Sequence, residues 1–169
     1  MLRSDRPVLR VSDLSLGFHS DQGFAEVVDK ASFELFRGET LGIVGESGSG
    51  KTVTAKTIMR LLPSPPARVT SGQIRFCTER ETLPPPLRDV DILTLSDKQM
   101  RAFRGNAMGM IFQEPMTALN PVFTVGFQID EVLRLHCSGL GRKERHKKAI
   151  AMLEQVGIPA PERRIQEYP

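Results

Sequence analysis

The chain has 169 residues, enough for one domain with a sizeable core, and it lacks an apolar run of the roughly 20 residues that a membrane-spanning helix needs. Its 23 Lys and Arg residues against 20 Asp and Glu residues give a net charge of +3, too weak a bias to argue for a nucleic-acid partner. The two cysteines, Cys77 and Cys137, lie far apart without metal-ligand spacing, which indicates reduced thiols in a cytosolic protein.

Alternating apolar residues near the N-terminus predict two antiparallel strands. The first covers residues 9–18 and changes phase at Asp13, which predicts a bulge or bend, and the second covers residues 31–35. A turn at residues 37–39 follows, and Thr40–Val44 is then typical of a short buried strand.

The next stretch fits the pattern G-x-x-x-x-G-K-[ST], a loop that cradles nucleotide phosphates. Its glycines let the backbone amides approach a phosphate, Lys51 would reach the β- and γ-phosphates, and the Thr52 hydroxyl would coordinate Mg²⁺. The apolar spacing after Lys51 predicts a helix, so strand, loop and helix come in the required order. The alternative is a glycine-rich turn without a ligand, which this context disfavours. The phosphate loop consists of Gly45, Glu46, Ser47, Gly48, Ser49, Gly50, Lys51 and Thr52.

Two aromatic residues are candidates for stacking on a purine ring. Phe18 lies at the end of the first predicted strand, and Phe24 lies in the turn that follows. From the residues alone, a core position is the favoured interpretation of Phe18.

The middle of the chain alternates loops with short elements. Ser71–Gly72 predicts a turn into a strand at residues 73–76, and the proline-rich stretch Thr78–Asp89 predicts a surface loop. Ser96–Gln99 is a capping box that predicts a short helix, which should end near Arg104–Gly105.

The apolar run Met108–Phe112 predicts an interior parallel strand, with Gln113 at its C-terminal end. The Gln113 amide can coordinate a metal or its bound water and can donate to a phosphate, although an ordinary strand-end glutamine is the simpler interpretation.

Helical spacing resumes over 124–136 and again from Arg142, where a basic run opens a helix that ends at Gly157. A basic run of this kind is more often a solvated helix face than a binding patch. His136 and His146 have no metal-ligand partners in sequence and are expected on the surface.

Together these motifs resemble the ATP-binding subunits of ABC transporters. The resemblance begins with the phosphate loop, Phe18 and Gln113. It narrows to the peptide-importer branch, which includes oligopeptide, dipeptide, glutathione and nickel permeases, with the stretch Met110–Pro121. It covers essentially residues 8–169.

The resemblance implies an α/β P-loop NTPase with a RecA-like core, N-terminal antiparallel strands and the start of a helical subdomain. Residues 8–113 would form the core, and residues 114–169 the glutamine loop and helical subdomain. Phe18 would stack on adenine, and Lys51 and Thr52 would bind phosphates and Mg²⁺. Gln113 would sense the γ-phosphate beside the metal and link the core to the subdomain that docks on a membrane subunit.

The implied function is ATP binding and hydrolysis coupled to solute uptake at the cytoplasmic face of the inner membrane. The implied partners are membrane-spanning permease subunits, a second ATPase subunit or domain and, indirectly, a solute-binding protein. Two alternatives remain: an accessory ATPase like those of the carbon–phosphorus lyase complex, and a phosphate-binding module without turnover.

The chain also departs from the family pattern. Phe127 stands where the family usually has glutamate, and the Thr78–Asp89 loop is longer than usual; both departures lie away from the phosphates and concern partner contacts rather than ATP binding. The chain ends at Pro169, before the family's Leu-Ser-Gly-Gly signature, acidic Walker B strand and switch histidine. We therefore expect this chain to be the N-terminal part of a longer subunit. In isolation it should be marginally stable, aggregation-prone and unable to hydrolyse ATP.

Overall fold

The computed structural model describes residues 6–78, 87–113, 118–137 and 139–169. The chain divides into two compact units, one within residues 1–108 and the other within residues 109–169. Most of the predicted proline-rich loop, residues 79–86, lies outside the described residues.

The first unit is built on a four-stranded antiparallel sheet with the order β2-β1-β3-β4. The two antiparallel strands predicted near the N-terminus are confirmed, and β3 pairs with the other side of β1. The strands are β1 Leu9–Ser20, β2 Gly23–Leu35, β3 Ala67–Cys77 and β4 Asp89–Asp91.

The predicted bend at Asp13 is confirmed as an irregularity in the pairing of β1. Asp13 has φ 47°, and the register shifts between Val11 and Leu14. The turn predicted at Ser71–Gly72 is wrong, because both residues lie inside β3 and Ser71 pairs with Ser15. Gly72 faces the bend so closely that a Cβ would lie 2.5 Å from the Leu14 Cα, so its glycine accommodates the bulge of β1 rather than reversing the chain.

Two short helices pack on this sheet. Helix α1, Lys51–Ile58, begins at the end of the phosphate loop, as predicted. Helix α2, Asp97–Phe103, has the predicted capping box, in which Ser96 and Gln99 exchange hydrogen bonds, and it ends at Arg104. A 3₁₀ turn at Ile92–Thr94 leads into α2.

The core of the first unit lies between the sheet and these helices. Phe76 of β3 meets Phe103 of α2 edge-on, with ring centroids 5.4 Å apart. Val53 and Ile58 of α1 pack partly buried against the same cluster, which therefore fixes α1 on the sheet. The buried members include Val11, Leu14, Leu16, Ile74, Phe76, Ile92, Met100 and Phe103.

The strands predicted at Thr40–Val44 and Met108–Phe112 are wrong for the structure as described. Neither segment is a strand, and Val44 and Ile111 are 92% and 95% exposed. A β-strand needs a neighbour to pair its backbone N–H and C=O groups. Within the described ranges, no named strand pairs with either segment. These apolar segments therefore have no neighbouring strand with which to form a sheet.

The second unit consists of helices, as its sequence spacing predicts. Helix α3, Val125–His136, is capped by Thr124, and α4, Arg142–Gln155, packs against it; α5, Pro161–Arg164, follows. Its small core centres on Leu133, Ala149 and Ile165. None of the helices in the described ranges is both long and apolar enough to cross a membrane.

The start of α3 is bonded to the segment that follows α5. The Val125 amide donates to the Glu167 carbonyl at 3.0 Å, and the Gly126 amide donates to the Ile165 carbonyl at 2.8 Å. These bonds satisfy two of the first-turn amides that a helix leaves without intrahelical partners. The approach is close enough that a Cβ on Gly126 would lie 2.5 Å from the Ile165 oxygen.

We expect Gly126→Ala to lower the free energy of unfolding of the second unit by roughly 1–3 kcal/mol, because the new methyl group pushes the Ile165 carbonyl away. Urea unfolding followed by circular dichroism, with hydrogen exchange of the α3 amides, measures the effect. Gly109→Ala is the matched control, since a Cβ there meets nothing within 4 Å. Equal stabilities of the two variants would contradict this close contact.

Candidate functional site

The phosphate loop forms a tight turn that leads directly into α1. The Ser49 amide donates to the Glu46 carbonyl at 3.2 Å, and Gly48 and Gly50 have φ of 83° and 84°, a region that favours glycine. Gly50 is the N-cap of α1 and supplies no side-chain cap. The first-turn amides of α1 therefore face the loop at the positive end of the helix dipole, an arrangement suited to an anion.

Lys51 lies over this turn. Its Nζ donates to the carbonyl oxygens of Gly45 and Glu46 at 2.8 and 2.6 Å, and to the Ser49 hydroxyl at 3.2 Å. The ammonium group of Lys51 thus donates to these three oxygens the hydrogen bonds that it would donate to phosphate oxygens in a complex. A bound phosphate therefore has to replace bonds that the loop makes to its own lysine.

Thr52 has an exposed side chain that makes no hydrogen bond within the part of the chain that the structure describes. Thr54, in contrast, is buried and donates its hydroxyl to the Gly50 carbonyl at 2.9 Å. Of these two threonines, Thr52 keeps a hydroxyl available to a ligand, as the motif requires.

The loop is fixed by contact with β2. A Cβ on Gly50 would lie 2.9 Å from Val28 Cγ2, so this glycine allows the loop to rest directly on the strand. A groove of about 560 Å³ runs beside it, lined by part of β2, residues 41–45, Ser49, Lys51 and Thr54. The structure thus places the predicted phosphate-loop residues in a turn and the start of α1, next to a groove.

The two aromatic candidates lie in different surroundings. Phe18 is half-buried in β1 and pairs with Ala25 and Ala67, two residues beyond the fully buried Leu16. The Phe24 ring instead lies over Gly17 and 5.1 Å from the ring of His19. Phe18 therefore belongs to the strand that the core holds, whereas Phe24 packs on the hairpin; stacking of Phe18 on adenine stays a prediction.

Gln113 is exposed and belongs to the second unit, whereas the phosphate loop belongs to the first. Its role toward the γ-phosphate stays a prediction. In the described ranges, His, Cys, Asp and Glu side chains form no group of three that could hold a metal. Mg²⁺ does not require such a group, because it is commonly held by substrate phosphates, water and one or two protein oxygens.

The second unit carries a concave surface that includes the basic run, most of whose residues are exposed, as a solvated helix face predicts. A cavity of about 890 Å³ is lined on one side by Phe127 and Asp130 of α3 and on the other by basic residues of α4. The spacing of those basic residues places them on one helix face, a signal that could have identified the surface. They are Arg142, Lys143, His146 and Lys147, and we call this surface the basic groove.

Charges in the basic groove are unequally compensated. Asp130 accepts a hydrogen bond from Arg145 at 2.6 Å, which holds the pKa of that carboxyl below its usual value and keeps it ionised. Lys143 and Lys147 make no hydrogen bond or ion pair with the described residues. The groove therefore presents positive charge beside the half-exposed Phe127 ring, which Phe123 stacks upon at 4.8 Å.

Relatives of this chain are ATP-binding proteins of peptide transport. It is 43% identical over its full length to the oligopeptide transport ATP-binding protein OppD of Bacillus subtilis, covering 44% of that protein. It is 46% identical over 97% of its length to the peptidoglycan transport ATP-binding protein YejF of Agrobacterium fabrum, covering 28% of that protein. The chain thus spans less than half the length of these curated relatives.

The fold has a counterpart among solved structures. The dimeric structure of MJ0796, a bacterial ABC transporter cassette, matches 95% of this chain and 61% of that chain, with a TM-score of 0.73 at 19% sequence identity. The family model described as ABC transporter matches residues 28–169. The α/β ABC ATPase fold and the resemblance to the peptide-importer branch, both inferred from the motifs, are confirmed, and the chain belongs to the ABC transporter family.

Proposed function

We propose that this chain is the nucleotide-binding part of an ABC-type ATPase that couples ATP binding and hydrolysis to the uptake of peptides or a related solute. The observation that carries the proposal is the phosphate loop, in which Lys51 and an uncapped helix N-terminus converge on one exposed turn. The names of the relatives, which refer to oligopeptide, dipeptide and peptidoglycan transport, support the solute class.

In this proposal each site residue has one task. The loop amides and Lys51 would bind the β- and γ-phosphates of ATP, and the Thr52 hydroxyl would be a ligand of Mg²⁺, which would supply positive charge to the phosphates. Phe18 stacks on the adenine ring. The Gln113 amide would contact the metal or its bound water and would sense the γ-phosphate on behalf of the helices of the second unit.

The chain spans 28% to 45% of the length of the curated relatives named YejF, OppD and DppD. We assign hydrolysis to a longer protein, comparable in length with these relatives. Phosphoryl transfer needs a group that orients the attacking water and a full set of charges around the γ-phosphate. We assign the completion of this site to further residues of that protein and to a second ATPase subunit or domain in a dimer.

The basic groove is the surface we assign to the membrane partner. A concave site with positive charge on one wall and Phe127 on the other suits a segment that carries both acidic and apolar residues. We propose that it binds a cytoplasmic segment of a membrane-spanning permease subunit, which places the ATPase peripherally at the cytoplasmic face of the inner membrane. Solute selection then belongs to the permease and a solute-binding protein.

We expect Lys51→Ala to weaken ATP binding roughly tenfold to a hundredfold, because a charged donor to the phosphates is lost. Titration of the chain with a fluorescent ATP analogue measures it. Lys56→Ala, also on α1 but with a side chain that makes no hydrogen bond in the described ranges, is the matched control. Failure of the unsubstituted chain to bind the analogue would refute nucleotide binding itself. If the chain binds nucleotide but a longer form of the protein does not hydrolyse ATP, a binding-only module would be supported instead.

We expect Thr52→Val, which preserves shape but removes the hydroxyl, to abolish most of the gain in ATP affinity that Mg²⁺ gives. The same titration is run with Mg²⁺ and with a chelator. Without the metal the variant should bind like the unsubstituted chain, because the Thr52 side chain is exposed and makes no hydrogen bond among the described residues. An equal Mg²⁺ gain in both proteins would exclude Thr52 as a ligand.

We expect Lys143→Glu in the longer protein to reduce its co-purification with permease subunits severalfold, because an acidic partner segment would then meet like charge. ATP-analogue affinity should not change. Lys98→Glu, an exposed charge reversal on α2, is the control for nonspecific effects. Unchanged association of the Lys143 variant would place the permease contact elsewhere.

A further inference from the structure

Arg60, two residues beyond the C-terminal end of α1, adopts a backbone conformation that arginine does not favour. Arg60 has φ 48°, the left-handed conformation in which helices usually end on glycine. The Arg60 amide donates to the Thr57 carbonyl at 2.9 Å, and the Leu61 amide donates to the Lys56 carbonyl at 2.8 Å. A long side chain in this position persists only if other contacts hold it there.

Arg104, at the end of α2, supplies part of that support. Its Nε donates to the Met59 carbonyl at 2.9 Å, and its Nη2 donates to the Arg60 carbonyl. A guanidinium group therefore binds two carbonyls just beyond α1, where the negative end of the helix dipole also favours a cation.

Arg60 makes the reciprocal contact to the start of α2. Its Nη1 donates to the Leu95 carbonyl, and its Nη2 lies 3.3 Å from an oxygen of Asp97. The Arg60 side chain is 27% exposed and that of Asp97 is 87% exposed, so the bond to the Leu95 carbonyl is partly shielded from water and the contact with Asp97 is open to solvent. Each arginine thus joins its own helix to the other, and we call Arg60 and Arg104 the arginine clasp.

We propose that the arginine clasp positions the phosphate loop, with α2 acting on the nucleotide through α1; this inference rests on the proposed function. Helix α1 has only 8 residues, too few for a stable isolated helix. Its N-terminal end is the phosphate loop, and its C-terminal end is the clasp. A change in the direction or length of α1 therefore moves Lys51 and Thr52, although neither arginine contacts the loop.

The first test is Arg104→Gln in the full chain, which removes the charged fork but keeps a polar side chain. We expect binding of the fluorescent ATP analogue to weaken about threefold to tenfold. Arg101→Gln, which removes the same charge from the exposed side of α2, should leave affinity unchanged. Equal affinities of the Arg104 variant and the unsubstituted chain would overturn the proposal.

Arg60→Gly separates positioning from stability. Glycine suits the left-handed backbone at this residue, so the variant should melt at the same temperature or higher, yet it loses the bonds to Leu95 and Asp97. We expect it to bind ATP about threefold to tenfold more weakly despite its stability. Normal affinity in this variant would show that the Arg60 side-chain bonds do not position the loop, and it would overturn the proposal.

The double variant tests whether the two arginines act as one unit. If they do, Arg60→Gly with Arg104→Gln should weaken binding by less than the product of the two single effects. A full product would mean two independent contributions and would contradict the clasp.

Hydrogen exchange distinguishes failure of the clasp from failure of the proposed function. We expect Arg104→Gln to accelerate exchange of the Thr54 amide, which donates to Gly50 next to the loop, as well as exchange at the distal end of α1. Acceleration restricted to residues 59–61 would overturn the inference even if the chain binds no nucleotide. If the unsubstituted chain binds ATP and all clasp variants bind equally, the inference fails and the proposed function stands.

Discussion

The packing of α1 on the antiparallel sheet is the contact on which the phosphate loop depends. Gly50 rests on Val28 of β2, and Val53 and Ile58 pack on the cluster that joins β1, β3 and α2. A helix of 8 residues does not persist in water through its own hydrogen bonds. The direction of the loop amides is therefore set by apolar packing, and loss of that packing would disturb the site from a distance.

The same dependence on neighbours explains why helices and strands behave differently in this chain. A helix pairs its backbone groups internally, so α3 and α4 form within the second unit. A strand pairs with another strand, and the segments around Val44 and Ile111 have none among the described residues. Their apolar side chains face solvent, an arrangement that favours association with further strands.

Features set by local sequence were predictable: the Ser96 capping box, the bend at Asp13 and the phosphate loop depend on residues a few positions apart. The strand at Thr40–Val44 was predicted wrongly because an apolar composition favours a strand only where neighbouring strands are present to pair and pack with it. Arg104 gave no sequence signal, since its partners lie 44 and 45 residues away. The basic face of α4 could be read from spacing, but its cavity arises from packing against α3.

The bonds that Lys51 makes within its own loop have a consequence for ligand discrimination. The ammonium group already has three oxygen partners, so an incoming anion must offer comparable coordination before the lysine exchanges them. A ligand with one oxygen can replace at most part of this coordination, whereas the linked phosphates of a nucleoside triphosphate offer several oxygens at once. In the proposed complex with ATP, the existing bonds of Lys51 would therefore favour a polyphosphate over a small anion.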